Sequence, residues 1–333
     1  MNPSDPAPSR PSTPERRHAI VDGFRIGCMI HAALSAGIID QLAAQPLEPR
    51  DLAFNNSLDP EPVASMCRWL AHEEVLEEIA PNVFGLGPVG LTLTVPQGGE
   101  WVWLGMEAFA HIADTLASGG YSSRRAQDHR LFDYLGAHPH AETAYQATIA
   151  QMAPEANAAI ARAYHLENQR VIELGGGHGG LLVEILRAHP ATTGVLVDRP
   201  EALHGAADYL ASQRLRDRVE LVEGGFFGQV PGGGQIYIIK WCIPDWTDDE
   251  VVQLLENCRA SMPTDAEMHI IEVPAGAGVE PMASIIDLNV RMLADGKVRT
   301  PAQICDLMSR AGFTSTRVTQ TDSDFIIVVG TTT

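Results

Sequence analysis

The run Tyr-Ile-Ile-Lys-Trp-Cys-Ile-Pro-Asp-Trp-Thr-Asp-Asp-Glu, residues 237–250, passes from an apolar stretch into an acidic one. The polar end of a buried strand is where α/β enzymes place their reactive groups. Lys240, Asp245 and Trp246 are the side chains here that can bind or polarise a ligand. Asp245 can also be a plain cap of the helix that follows. The turn itself carries Pro244, whose ring offers no acid, base or nucleophile. A second stretch with chemical content is Glu-Leu-Gly-Gly-Gly-His-Gly-Gly, residues 173–180, after the apolar run Arg-Val-Ile. Glycines let a backbone approach a ligand closely and adopt turns closed to other residues. Asp198 ends the next apolar run, Gly-Val-Leu-Val-Asp, where a carboxylate can accept from both hydroxyls of a ribose.

Glu173 separates the possible nucleotide ligands. A carboxylate just ahead of the glycines repels a pyrophosphate placed at a helix N-terminus and suits a cationic amino-acid tail. These residues therefore favour S-adenosylmethionine over a nicotinamide dinucleotide. No His/Cys/Asp/Glu pattern indicates a metal site.

The elements that must hold these residues are legible in the rhythm of the chain. Apolar runs at 170–175, 193–198, 219–224, 235–241 and 268–273 alternate with helical segments from Gln169 onward. Alternation of this kind predicts a parallel, doubly wound sheet. A terminal pair, Ser-Thr-Arg-Val-Thr-Gln-Thr and Asp-Phe-Ile-Ile-Val-Val-Gly, predicts an antiparallel hairpin. Ahead of this α/β domain, residues 18–99 read as helices and a small β-wing in a winged-helix arrangement. Residues 31–46 read as one amphipathic helix ended by Pro46. Residues 48–57 read as a short helix, and residues 59–79 as a longer one capped by Asp59. Residues 100–165 read as connecting helices, and residues 1–17, rich in Pro and Ser, as a disordered tail without a signal-peptide core.

Composition narrows the partners. The net charge of −19 over 333 residues argues against nucleic acid or an anionic membrane. Five scattered cysteines without CxxC spacing predict neither a disulfide framework nor zinc, and a reducing, cytoplasmic location.

The motifs "VIELGGGHGG", "VLVDRP", "VEGGFFGQVPGGGQIYIIKWCIPDWTDDE" and "DLNVRMLADGKVRTPAQICDLMSRAGF" occur together in an order that resembles the S-adenosylmethionine-dependent small-molecule O-methyltransferases of plants and bacteria. The resemblance runs from about His18 to the end. It implies a Rossmann-like class I methyltransferase domain at 166–333, built on a mostly parallel seven-stranded sheet and preceded by a winged-helix dimerisation domain. It also implies a homodimer, an aromatic or polyketide-type acceptor, and S-adenosylmethionine or S-adenosylhomocysteine as ligand. By the same resemblance Glu173, Gly175 and Gly177 face the methionine part and Asp198 the ribose. Phe226 and Trp246 lie by the adenine, and Lys240 bonds near the cofactor. Gly225 stands where the family has an aspartate on the adenosine. The acceptor pocket would be lined by His111, Tyr145, Met152, Pro244 and Asp287.

The departures bear on catalysis. The family's base is a histidine, and Pro244 stands in its place. Of the two glutamates that flank that histidine, Glu272 is retained and Val298 replaces the other. His111 and Asp245 are the candidate substitutes. One expectation is methyl transfer driven by proximity to an acidic hydroxyl, because orientation alone is worth several kcal/mol. The alternatives are a non-methylating reaction on the same scaffold (pericyclic, hydroxylating or decarboxylating) and a non-catalytic binding protein.

Overall fold

Helix formation begins at Thr13 and runs to Ser35, so residues 13–17 belong to a helix rather than to the expected tail. Pro14 sits in its first turn, where a missing N–H costs nothing. The helix does not continue through residues 31–46 as the sequence suggests. Gly37 takes a left-handed conformation (φ 69°) and starts a separate helix, Ile38–Ala44. Helix Pro49–Asn55 follows, then Pro60–His72, capped by the Asp59 side chain accepting from the Glu61 amide. That last helix stops at His72, well short of residue 79. Leu76–Ala80 is instead a strand, β1, paired antiparallel with β2, Val83–Leu86. The wing is therefore a hairpin whose first arm carries the apolar residues assigned to the helix. Phe84, Leu52, Leu70, Ile38 and Ile39 form the core of this unit.

The computed structural model describes residues 13–94, 109, 112–119, 131–138, 141–142, 145–146, 149, 154–276, 281–294 and 296–332. The chain divides into two units, Met1–Trp103 and Leu104–Thr333. In the second, β3 (Arg170–Leu174), β4 (Thr193–Asp198), β5 (Val219–Glu223), β6 (Ile236–Lys240) and β7 (Glu267–Glu272) are parallel. The hairpin of β8 (Ser315–Gln320) and β9 (Ile326–Thr331) adds on antiparallel to β7. The order across the sheet is β5-β4-β3-β6-β7-β9-β8.

Strands covered on both faces carry near-continuous apolar runs, as β3, β4 and β6 do. One core layer gathers Val171, Leu196, Ile238 and Ile271 on one face, and the other gathers Ile172, Val195, Tyr237 and Ile270. The order in which strands are added reverses between the parallel neighbours β3 and β6, so their carboxyl ends open a crevice at the topological switch point. Glu173 and Lys240 stand at that mouth.

Candidate active site

The glycine loop between β3 and helix Gly180–Ala188 is shaped by what surrounds it. Gly175 and Gly177 have φ of 73° and 56°, values that L side chains rarely adopt. A Cβ on Gly175 would lie 2.6 Å from Phe226 Cζ and 2.8 Å from Cys242 Sγ. One on Gly177 would lie 2.8 Å from Gln146 Oε1. Only bare backbone fits at these positions, where the Gly175 amide donates to the Val197 carbonyl at 2.8 Å and the Gly177 amide to Asp198.

Asp198 is fixed to this loop. Its Oδ2 accepts from the Gly177 amide at 2.7 Å and its Oδ1 from the Arg199 amide at 2.8 Å. Each oxygen keeps a further lone pair. Burial raises its pKa, and the two amides oppose that rise. Glu173, 2% exposed, has no partner for Oε2. Burial pushes its pKa to about 7, against the pull of Lys240. The Lys240 ammonium is lowered by its own burial, with Glu173 and Glu272 opposing.

Trp246 forms an aromatic wall. It stacks on Phe132 (6.1 Å, 15°) and meets Phe227 (4.9 Å) and Phe226 (6.2 Å) edge-on. Its indole Nε1 is buried without a partner. Tyr145 packs edge-on against Phe132 at 6.1 Å. Burial, followed by the charge of Asp245, holds its phenol protonated. Asp245 and Tyr145 thus belong to the same part of the crevice.

After β6 the chain turns sharply. Trp241 takes a left-handed φ of 57°, unfavourable for a bulky residue. It is held there by its amide on the Ile271 carbonyl at 2.9 Å and its ring edge-on to Phe325. Pro244 follows in a single 3₁₀ turn, Ile243–Asp245. Arg299, 3% exposed, clasps both sides of that turn, donating to the Ile243 carbonyl and the Trp246 carbonyl at 2.7 Å each. Asp248 fixes the guanidinium from behind at 2.9 Å. Gly296 presses so closely on the Pro244 carbonyl that a Cβ there would overlap it, at 1.8 Å. Asp245 is not the cap of helix Asp248–Ser261. Thr247 and Glu250 form a reciprocal capping box there, which leaves the Asp245 carboxyl to the crevice. Its burial raises its pKa to about 7.

Glu272 ends β7 beside this turn. It is 2% exposed, and neither carboxyl oxygen has a hydrogen-bond partner. Burial and then the charge of Asp245 drive its pKa well up. The nearby Ile243 and Cys242 amides and Arg299 offset part of this, but none completes a hydrogen bond of ordinary geometry. Val298 lies in an apolar cluster with Ile286 and Val290, so its side chain offers Glu272 nothing.

The crevice therefore brings together Glu173, Gly175, Gly177, Asp198, Phe226, Lys240, Tyr145, Pro244, Asp245, Trp246 and Glu272. Gly225 has open space around its Cβ position, so no steric demand explains the missing aspartate. Asp287 is bonded within its own segment. Its two oxygens accept from the Val298 amide (2.9 Å) and Arg291 (2.7 Å), pinning the strap that carries Val298. His111 and Met152 lie outside the described residues. Sequence reasoning missed Phe132, Glu142, Arg199, Cys242 and Arg299. Arg199 directly follows Asp198, which was a usable signal. Its guanidinium meets both Glu142 oxygens at 3.0 Å and lies 5.3 Å from the centre of the Phe132 ring. Glu142 and Phe132 carried no comparable signal.

A carboxylate with one oxygen unpartnered beside a side-chain-free glycine loop, a second acid tied to that loop, and an aromatic wall together fit a ligand with a cationic amine, a ribose and a flat base. Among the described residues no group of three or more His, Cys, Asp or Glu side chains is placed to hold a metal ion.

Comparison with known proteins gives the same class. A family model described as an O-methyltransferase domain matches residues 109–314. The phenazine O-methyltransferase PhzM of Lysobacter antibioticus is 29% identical, over 93% of this chain and 93% of that protein. The 8-amino-8-demethylriboflavin N,N-dimethyltransferase of Streptomyces davaonensis is 30% identical, over 87% of each. The crystal structure of LaPhzM superposes with a TM-score of 0.82 at 27% identity, covering 96% of this chain and 99% of that one. The chain belongs to the S-adenosylmethionine-dependent O-methyltransferase family. It is an enzyme of small-molecule secondary metabolism with S-adenosylmethionine as its cofactor.

Proposed function

We propose that this enzyme methylates a hydroxyl of an aromatic or polyketide-type small molecule, by holding the acceptor in line with the methyl donor and without an imidazole base. The observation that carries this reading is the Pro244 turn, clasped on both sides by Arg299 and packed against Gly296. The turn is rigid and bears no titratable group at its apex. The phenazine and flavin-type acceptors named for its relatives support a flat, aromatic acceptor.

The glycine loop, the Asp198 anchor and the aromatic wall support a matching set of cofactor contacts. Glu173 holds the amine, and the backbone at Gly175 and Gly177 the rest of the methionine part. Asp198 takes the ribose hydroxyls. Phe226 and Trp246 flank the adenine, and Lys240 balances the carboxylates at the strand ends. Tyr145, Pro244 and Asp245 border the acceptor. The bound cofactor supplies an electrophilic methyl group on a positively charged sulfur. The chain's own contribution is orientation, worth several kcal/mol when reacting atoms are held close and aligned. Loss of a general base costs roughly 10²–10⁴-fold, tolerable for a hydroxyl that ionises readily. The enzyme works as a homodimer in the cytoplasm.

Mass spectrometry with an isotopically labelled methyl donor tests the reaction. The expected result is one labelled methyl in product and one S-adenosylhomocysteine per turnover. A substrate converted while the label stays on the cofactor would establish the non-methylating reading instead.

A further inference from the structure

Asp198 sits in a closed ring of contacts. Its Oδ1 accepts from the Arg199 amide at 2.8 Å and its Oδ2 from the Gly177 amide at 2.7 Å. The Arg199 side chain reaches away from that carboxylate, and its Nη2 donates to both oxygens of Glu142 at 3.0 Å. Gln146 donates to Glu142 Oε1 at 2.9 Å. The other end of the Gln146 amide returns to the glycine loop, where its Oε1 lies 2.8 Å from the Cβ position of Gly177. Glu142 and Gln146 are four residues apart in helical conformation, which puts both on one face. The connecting segment is thereby tied to the cofactor loop at two points, one on each side of Asp198.

Stability alone is a poor account of this ring. Glu142 is 2% exposed, and a buried ion pair rarely holds a fold better than apolar side chains of similar volume. What the pair adds is a fixed direction. The same guanidinium lies 5.3 Å from the centre of the Phe132 ring, and Phe132 stacks on Trp246 at 6.1 Å and 15°. One side chain joins the loop acid to the aromatic wall.

We propose that Glu142 and Arg199 are positioning residues for the methyl donor, whose ion pair holds the Asp198 carboxylate in the orientation that receives the ribose hydroxyls. The inference rests on the cofactor reading above. Both residues act through Asp198. A guanidinium anchored on Glu142 restrains the backbone that carries the Arg199 amide, and that amide sets one carboxylate oxygen. Gln146 restrains Gly177, whose amide sets the other. An acid held in place before the ligand arrives loses less freedom on binding, so more of each hydrogen bond appears as affinity. The positive charge of Arg199 also favours the ionised form of Asp198, the form that accepts from both hydroxyls.

The test compares S-adenosylhomocysteine with its 2′-deoxyribose analogue by calorimetric titration. Wild type should bind the parent ligand at least about tenfold more tightly, as expected for a hydrogen bond to a charged carboxylate. That ratio should fall by about threefold or more in Glu142→Gln, and approach one in the double variant Glu142→Met/Arg199→Met. The double variant leaves no buried charge unpaired, so it should melt close to wild type while its ribose discrimination stays lost. A ratio unchanged from wild type in the double variant would make the pair a structural support only and overturn the proposal, even if both ligands bound more weakly. Wild-type protein that binds neither ligand, or binds both equally, would instead overturn the assignment of Asp198 to the ribose on which the proposal depends.

Discussion

At the scale of single residues, two apolar replacements decide the character of the site. Val298 is buried beside Ile286 and Val290, and its neighbour Asp287 is already bonded to the strap. Placing the family's glutamate at this position puts a carboxyl into that cluster without a donor. Val298→Glu should therefore destabilise the protein by roughly 2–4 kcal/mol, measured by urea unfolding. An unchanged unfolding midpoint would mean that the strap opens to water. Glu272 has the opposite problem, since its native carboxyl is the strained group. Glu272→Gln should raise the melting temperature of the ligand-free protein at pH 8, where the native charge is most costly. The gain should shrink toward pH 5, close to the ordinary carboxyl value, where holding Glu272 neutral in the folded protein costs little. A lower melting temperature at pH 8 would show that the carboxylate has a stabilising partner.

At the scale of elements, the glycine loop and the segment after β5 respond oppositely to added side chains. Gly175→Ala combines a left-handed φ with overlap against Phe226 and Cys242. It should cost roughly 2–4 kcal/mol of stability and sharply weaken S-adenosylhomocysteine binding. Gly225 lies in open space, so Gly225→Asp is sterically free. Restoring one hydrogen bond to the adenosine should tighten binding by about five- to thirtyfold, or about 1–2 kcal/mol, in a calorimetric titration. Weaker binding than wild type would place the adenosine elsewhere. The proline turn belongs to this scale too. The Arg299 clasp and the Gly296 contact fix its backbone whatever residue stands at its apex, so an imidazole at residue 244 would enter a turn already shaped without it.

For the molecule as a whole, pH and assembly are the observables. Glu173 and Asp245 have folded-state pKa values raised to about 7 from 4.5 and 3.8. Such groups contribute stability that is full below their unfolded values and is lost as pH rises through 7. Glu267 is held at about 2 by His269 and Arg317, so its contribution is present above about 4.5 and is lost as pH falls toward 2. Ligand-free protein should accordingly be most heat-stable near pH 5–6 and lose stability toward pH 8. A melting temperature that rises steadily from pH 5 to 8 would contradict the burial of these acids. Helix Thr13–Ser35 leaves Ile20 and Phe24 about 70% exposed (69% and 70%), one turn apart on the same face. With a charge of −19, the surface suits self-association better than nucleic acid. Sedimentation at micromolar concentration should give about twice 35.9 kDa, and duplex DNA should not bind. A monomer under those conditions would remove the proposed dimer.

The sequence by itself determined the strands and the class of the protein. Runs of Ile, Val and Leu buried on both faces have few other uses, and the glycines, Glu173 and Asp198 sit at fixed steps from those runs. The family resemblance put Pro244 and Val298 at positions expected of a base and its partner. The sequence misled where local preference and tertiary demand diverged. Leu76–Ala80 carries helix-compatible glutamates, yet pairing with Val83–Leu86 makes it a strand, because strand pairing is a non-local contact. Gly37 breaks an apolar helix pattern that periodicity alone reads straight through. Asp245 looked like a cap until Thr247 and Glu250 were seen to form the capping box. The isolation of Glu272, the Arg299 clasp across residues 243–246 and the Glu142–Arg199 pair join segments tens of residues apart. Side-chain spacing along a chain carries no information about such meetings. Only the packing of β6, β7 and the strap decided that one acid would be left without a partner.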